Sequence, residues 1–426
     1  MAALQDHARR YELTNELHAR PFALVQAPGQ AMFLAVKQPE RAVGRDRDAD
    51  IAHLIRLLDH YGAPHPKPGA THYTGALGRV QLRWESHTEF VTYTLYAEGA
   101  PVRAFSPEDA PGFPEEWLAE MPGQCIASAL FHVAPRPKPE VLRENLRDWF
   151  VAESLAISDV LDGAATIAGD FRIDAAGHQR FAIFVDEQTG PARVGRIMQR
   201  LCEIELYHIA SMLGFARAQG LGARMNEIDR DLTDLISRMA GETAGPEEML
   251  GALLGLSSEL EGMAAQNAFR FDATTAYEAI VTQRIAVLRE RRFEGRQSFA
   301  EFMMRRYDPA MRTVAATRAR LDGLGARALR AAELLRTRVE VSRSAQNQEL
   351  LASMDRRADT ALRLQNTVEG LSVVAISYYA VSLMGYLLAP LAKGAGIEKT
   401  WVLGAATLPV CLAVWWAIRR LRARLH

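Results

Sequence analysis

The sequence predicts an α+β cytoplasmic sheet domain followed by long α-helices and a C-terminal two-helix transmembrane hairpin. Three observations carry this. Short β-branched and aromatic runs broken by Gly and Pro fill the first 190 residues. Nearly continuous helical patterning fills the middle. Two uncharged apolar runs lie close together at the end, Leu371–Leu391 (LSVVAISYYAVSLMGYLLAPL) and Trp401–Ile418 (WVLGAATLPVCLAVWWAI).

Within residues 1–190 the runs Ala31–Lys37, Gly78–Glu85, His87–Glu98, Ile126–Val133, Thr166–Ile173 and Gln179–Asp186 read as strands. Ile51, Leu54, Ile55 and Leu58 have helical spacing, so Asp50–Tyr61 reads as a helix with Asp50 as its N-cap. Strands outnumber helices and their connections are irregular, which favours α+β over a doubly wound sheet. Residues 191–308 form a helical region, with stretches at Arg193–Met239 and Glu247–Arg292. A stalk helix over 309–370 continues without proline into the first apolar run. On it, Arg312, Arg318, Arg320, Arg327 and Arg330 read as a solvated face.

The transmembrane hairpin is predicted over 371–418, with a basic tail at 419–426. Twenty-one residues at 1.5 Å each give about 31 Å of helix, the thickness of a hydrocarbon core. Arg356, Arg357 and Arg363 precede the first span and Arg419, Arg420, Arg422 and Arg424 follow the second, while the connecting loop holds Lys393 and Lys399. That asymmetry predicts two spans with N- and C-termini cytoplasmic. Trp415 and Trp416 form an aromatic belt beside the arginines. The opening residues have no apolar signal-peptide core, and the three cysteines are far apart, which fits the same compartment.

Steps of three and four from Leu351 define a seam through Met354, Ala358, Ala361, Gln365, Val368, Ser372, Ala375, Tyr379, Ser382, Tyr386 and Ala389. Before the membrane it is mostly apolar with one polar residue, Gln365, and within it small or polar, a pattern that suits either a homo-oligomeric bundle around a polar axis or packing on the chain's own second span. Gln365, Ser372, Tyr379, Ser382 and Tyr386 are its seam-facing or pore-facing candidates. The stripe Leu371, Val374, Tyr378, Val381, Gly385, Leu388 is expected to face lipid.

Charge excludes one class of partner: Lys+Arg total 50 against Asp+Glu 51, so nothing favours nucleic acid. P-loop, zincin, α/β-hydrolase and dinucleotide fingerprints are absent from the sequence. The best local constellation is Arg83–Phe90. Read as one strand, it puts Glu85, His87 and Glu89 on one face, a set able to bind a divalent metal or to orient His87 as a base. Its bland counterpart is a solvated polar face. Glu16, His18 and Arg20 alternate similarly before Pro21, as an edge strand, a loop site or a docking segment, and His18 joins the metal candidates if the two segments meet.

The segments Asn15–Phe22, Arg83–Phe90 and Leu364–Ser372 resemble an uncharacterised family of proteobacterial membrane-anchored proteins, a domain of unknown function. The resemblance implies a membrane-anchored bacterial protein and supplies no activity. The architecture is also similar to CorA-type magnesium channels, but that family's Gly-Met-Asn triplet is replaced here by Leu387–Leu391, and the outer loop is net positive. The first expectation is therefore a scaffold or regulatory protein whose sheet domain binds a partner or small ligand. The alternatives are a CorA-like divalent-ion transporter with an altered outer mouth, or a membrane-tethered enzyme with a Glu/His site.

Overall fold

The computed structural model describes residues 5–16, 22–38, 44–106, 108–241, 245–394 and 398–425. A short helix α1 (Arg10–Glu16) precedes strand β1 (Gly29–Lys37) and helix α2 (Arg47–His60). Strands β2 (His72–Leu77), β3 (Val80–Ser86) and β4 (Phe90–Glu98) form a meander, and helix α3 (Glu115–Ala119) leads to β5 (Gln124–Pro135). Helix α4 (Pro139–Trp149) is followed by β6 (Ala156–Val160), β7 (Ala165–Gly169) and β8 (Gln179–Val185). Then come helices α5 (Pro191–Ala240) and α6 (Pro246–Ala286), strand β9 (Arg291–Arg292), and helices α7 (Phe299–Arg306), α8 (Asp308–Gly394) and α9 (Lys399–Leu425).

Among the described residues nine strands make one mixed sheet in the order β2-β3-β4-β1-β5-β8-β7-β6-β9. Among the described strands β5 and β8 pair in parallel and the other pairs are antiparallel; β1 lies between β4 and β5, with Phe33 opposite Thr94 and Ala129. The sequence of β1 is apolar on both faces because both are covered. Met32, Leu34 and Val36 join Leu82, Trp84 and Tyr93 under α2 and α3. Ala31, Phe33 and Ala35 face the other way, with Phe131 and Phe181, into a core shared with α5 through α8. On α5 that core takes Val194, Ile197, Leu201 and Ile204, the three-and-four spacing of one helix face. Helix α4 covers the β5–β8 half through Leu142, Leu146 and Phe184. Each such side chain of Leu or Phe size contributes about 1.5–3 kcal/mol by leaving water.

The chain divides into two compact units, one of residues 1–242 and 251–331, the other of 243–250 and 332–426. In the first, the long helices are also tied by charge: Arg320 and Arg327 both reach Asp229, at 3.1 and 2.8 Å, and Arg318 reaches Asp272 at 2.6 Å. Three of the five arginines expected on a solvated face therefore bridge neighbouring helices.

In the second unit α8 is long and apolar enough to cross a membrane, and only 11% of its most apolar eighteen-residue stretch is buried. It packs on α9 closely at Gly385, where a Cβ would lie 3.0 Å from a Leu403 methyl. Gly385 belongs to the stripe expected to face lipid, so at this position the stripe faces α9 instead.

Other departures have local causes. Asp46, not Asp50, caps α2, accepting from the amides of Asp48 and Ala49 at 3.1 and 3.0 Å. The strand expected from Gly78 begins at Val80, because Gly78 adopts φ +60° in the tight β2–β3 turn. β2, β6 and β9 were not anticipated, and the helical stretch expected to reach Arg292 ends at Ala286.

Candidate functional site

The segment Arg83–Phe90 is not a single strand. Ser86 pairs with Val91 across the β3–β4 hairpin, and the His87 amide donates to the Phe90 carbonyl at 2.9 Å, so residues 87–89 turn. Alternation holds as far as Ser86: Leu82 and Trp84 enter the layer under α2, while Arg83 and Glu85 face α5. Beyond it Glu89 swings into the helices. Its carboxylate, 1% exposed, accepts from both terminal nitrogens of Arg270 and from the Tyr277 hydroxyl at 2.7 Å. Burial, then the hydrogen bond and charge of Glu89, push the Tyr277 phenol far above its usual range.

A second buried arginine holds the opposite side of the turn. Arg45, just ahead of α2, donates to Ser86 Oγ at 2.7 Å and to the His87 carbonyl at 2.9 Å. Its Nε lies 3.2 Å from Asp50. Burial raises the Asp50 carboxyl to about 6 in spite of Arg45.

Between these anchors a cavity of about 260 Å³ opens between the sheet and α5. Arg83, Glu85 and His87 form its sheet side with Thr92, Thr94 and Tyr96; Gln199, Cys202, Glu203 and Tyr207 come from one face of α5, and Arg284 from the end of α6. One chain of hydrogen bonds crosses it. Arg83 donates to Glu85 at 3.0 Å and to Gln199 Oε1 at 2.7 Å, Gln199 donates to Glu203 at 2.9 Å, and Arg284 donates to the other oxygen of Glu203. Burial works against the Arg83 charge, but Glu85 and the neighbouring Tyr96 more than offset it and its pKa is raised. The Cys202 thiol, buried in the cavity wall, is pushed well above its usual range, first by burial. His87 Nε2 lies 3.4 Å from Thr92 Oγ1, with its ring edge-on to Tyr207. Two cations, each already held by a carboxylate, leave a lining with fixed donors and acceptors and little net charge. Such a site suits a small polar ligand bearing groups of both kinds.

Of the sequence-predicted residues, Glu85 and His87 line this cavity and Glu89 does not. His18 and Arg20 lie outside the described residues, and Glu16 closes helix α1 rather than sitting in an edge strand. Their segment nevertheless ends near the site. Phe22 shares a cleft of about 400 Å³ with Gln81 and Arg83, and the Arg196 guanidinium lies 5.9 Å from its ring. Among the described residues no three His, Cys, Asp or Glu side chains form a group able to hold a metal ion. Gln199, Glu203, Arg270 and Arg284 were missed because their partners lie far along the chain, 116 residues in the case of Arg83 and Gln199. The only hint was polar residues interrupting the apolar face of α5.

On α8, Gln365 donates to Glu369 at 3.2 Å and Ser372 to the Val368 carbonyl at 2.8 Å, both within the helix. Tyr379 and Tyr386 are exposed, and Ser382 is half-buried.

The chain belongs to the family described as a protein of unknown function, DUF3422, which it matches over residues 5–425. No curated protein matches it.

Proposed function

We propose that this DUF3422 protein is a membrane-anchored scaffold or regulator whose sheet-bearing unit holds a small polar ligand. In this reading α8 and α9 cross a bacterial inner membrane as two spans, and both chain ends stay in the cytoplasm. The observation that carries the ligand half is the cavity at Arg83, Glu85 and His87, whose donors and acceptors are fixed by neighbours before anything binds. Support for the anchor comes from the uncovered apolar stretch of α8, the second uncharged run within α9, and arginines flanking both. Leu350, Leu351, Met354 and Leu364, each at least 60% exposed on α8 ahead of that stretch, support a second copy as the partner along the stalk.

Two measurements test the reading. Small molecules extracted from purified full-length protein are compared by mass spectrometry with those from Thr94→Phe, in which an aromatic ring fills the cavity. A polar compound retained by the wild type and lost from a folded variant is expected; identical extracts would remove the ligand half. For the anchor, the protein should stay in alkaline-washed membranes, and a cysteine at Glu398 should react with an impermeant maleimide from outside. Recovery in the wash would remove that half.

A further inference from the structure

Positive charge gathers where the first turns of α5 meet the end of α6, in a chain whose net charge is -1. The Leu161 amide donates to the Leu288 carbonyl at 2.9 Å and Arg193 donates to the Leu161 carbonyl at 2.8 Å, so the β6–β7 turn ties the two helices together there. Arg196, Arg200, Arg284 and Arg289 lie at the same place. Two carboxylates answer them: Glu203 holds Arg284, and Asp162 holds Arg289 at 2.7 Å. Among the described residues Arg196 and Arg200 meet no carboxylate. Arg196 lies 5.9 Å from the Phe22 ring, and Arg200 donates one N–H to the Val287 carbonyl at 3.3 Å. A ring and a carbonyl leave both cations uncompensated, and each guanidinium has five N–H groups to place. Both side chains are half-buried, so solvent screens them less than it would a surface pair. Burial, then the charges of Arg196 and Arg284, lower the Arg200 pKa, as like charges brought together must.

The pair is placed to serve the cavity. Arg196 and Arg200 stand one turn apart on α5 with Cβ atoms about 6 Å from each other, so both forks can reach one anion. Gln199 and Glu203, which line the cavity, flank Arg200 along the helix. Arg284 belongs to both places, lining the cavity while its charge acts on Arg200. The cavity lining carries little net charge, so the two spare cations beside it set the demand: about two negative charges on one group. A carboxylate brings one. A phosphomonoester brings about 1.5–2 at neutral pH, with three oxygens to share between two guanidiniums. We infer that Arg196 and Arg200 clamp the phosphate of a small phosphomonoester whose polar body enters the cavity. This gives the ligand of the proposed function its chemical class, and it rests on that reading. At about 260 Å³ the cavity is smaller than the roughly 300–1,000 Å³ of drug-sized sites, so the body is a small one.

The test uses full-length protein in neutral detergent at low ionic strength. Radiolabelled inorganic phosphate is measured by equilibrium dialysis, and the compound extracted from purified protein is examined by phosphorus NMR. One phosphate per chain is expected to bind. Arg196→Gln and Arg200→Gln should each weaken it by about tenfold or more, the worth of one charged hydrogen bond. Arg196→Lys, which keeps the charge and loses the fork, should weaken it less, and Arg312→Gln, at an exposed arginine of α8, should not weaken it. Thr94→Phe should leave inorganic phosphate bound, because the ion alone stays outside the cavity. The extracted compound should carry a phosphomonoester and be absent from the Arg196→Gln, Arg200→Gln double variant. No phosphate binding, equal binding in both glutamine variants, or a retained compound without phosphorus would each overturn the clamp. A compound retained by the wild type and lost from Thr94→Phe would in those cases leave the cavity reading standing. Arginine-dependent phosphate binding with extracts that Thr94→Phe does not change would keep the anion site and remove the cavity reading instead.

Discussion

Glu89 shows how one side chain can carry a different meaning in the sequence and in the folded chain. Its spacing from His87 is that of a shared strand face, yet the turn at residues 87–89 sends it into a buried pair with Arg270. Removing one partner of such a pair strands the other charge. Glu89→Ala is expected to cost about 3–5 kcal/mol in denaturant unfolding, whereas Glu89→Leu combined with Arg270→Met should recover most of it. A second buried acid, Glu205, accepts from Gln179 at 2.5 Å and leaves one oxygen unbonded, 3.9 Å from His208 Nδ1. Burial raises the Glu205 carboxyl to about 8 and lowers the His208 imidazole to about 4, so the pair is neutral. The folded protein keeps a proton on Glu205 that the unfolded chain, near 4.5, releases. Stability from this group is full below that value and is lost as pH rises to about 8. His208 acts oppositely, its contribution being full above 6.5 and lost as pH falls toward 4. Unfolding free energy should therefore peak between these limits and fall by up to about 1.4 kcal/mol per pH unit on the alkaline side. Glu205→Gln should flatten the alkaline limb; an unchanged slope would place its source elsewhere. None of this was legible in the sequence, where Glu205 and His208 look like one more polar i, i+3 pair.

At the scale of elements, the long helices and the central strands were readable because their signals are local. Proline-free stretches with three-and-four spacing give α5 and α8, and dense β-branched and aromatic runs give β1, β4 and β8. β2 carries a glycine in its interior, β6 is five residues long and β9 two, too little pattern to be seen without their neighbours. The docking of residues 22–26 on α5 was likewise hidden, although one residue governs it. At Gly195 a Cβ would fall 1.8 Å from the Ala23 carbonyl oxygen, and the Val25 amide donates to the Pro191 carbonyl at 3.2 Å. Gly195→Ala must push this segment off the helix. The expected cost is about 1–3 kcal/mol, with faster protease cleavage near Phe22 and a change at the cleft beside Arg83. An unaltered cleavage rate would show the segment to be held by other contacts.

At the scale of the molecule, the family match runs through both compact units, so the sheet and the helical hairpin come as one inherited chain. The candidate site was half legible. Arg83, Glu85 and His87 stood out by residue type, while the α5 and α6 side chains that complete the cavity are assembled only by tertiary folding. The small strand β9 bears on how this protein can be handled. Arg291 and Arg292 pair with Asp159 and Ser158 after two long helices have intervened, closing the outer edge of the sheet. A fragment stopped at residue 190 would lack that closing strand and the helices above Phe33 and Phe181. It should aggregate on expression through its bare margin, whereas one carried to residue 331, where the first unit ends, should stay monodisperse without detergent. The gene therefore has no useful stop at the last long strand, and anyone seeking a crystallisable soluble piece should cut well inside α8.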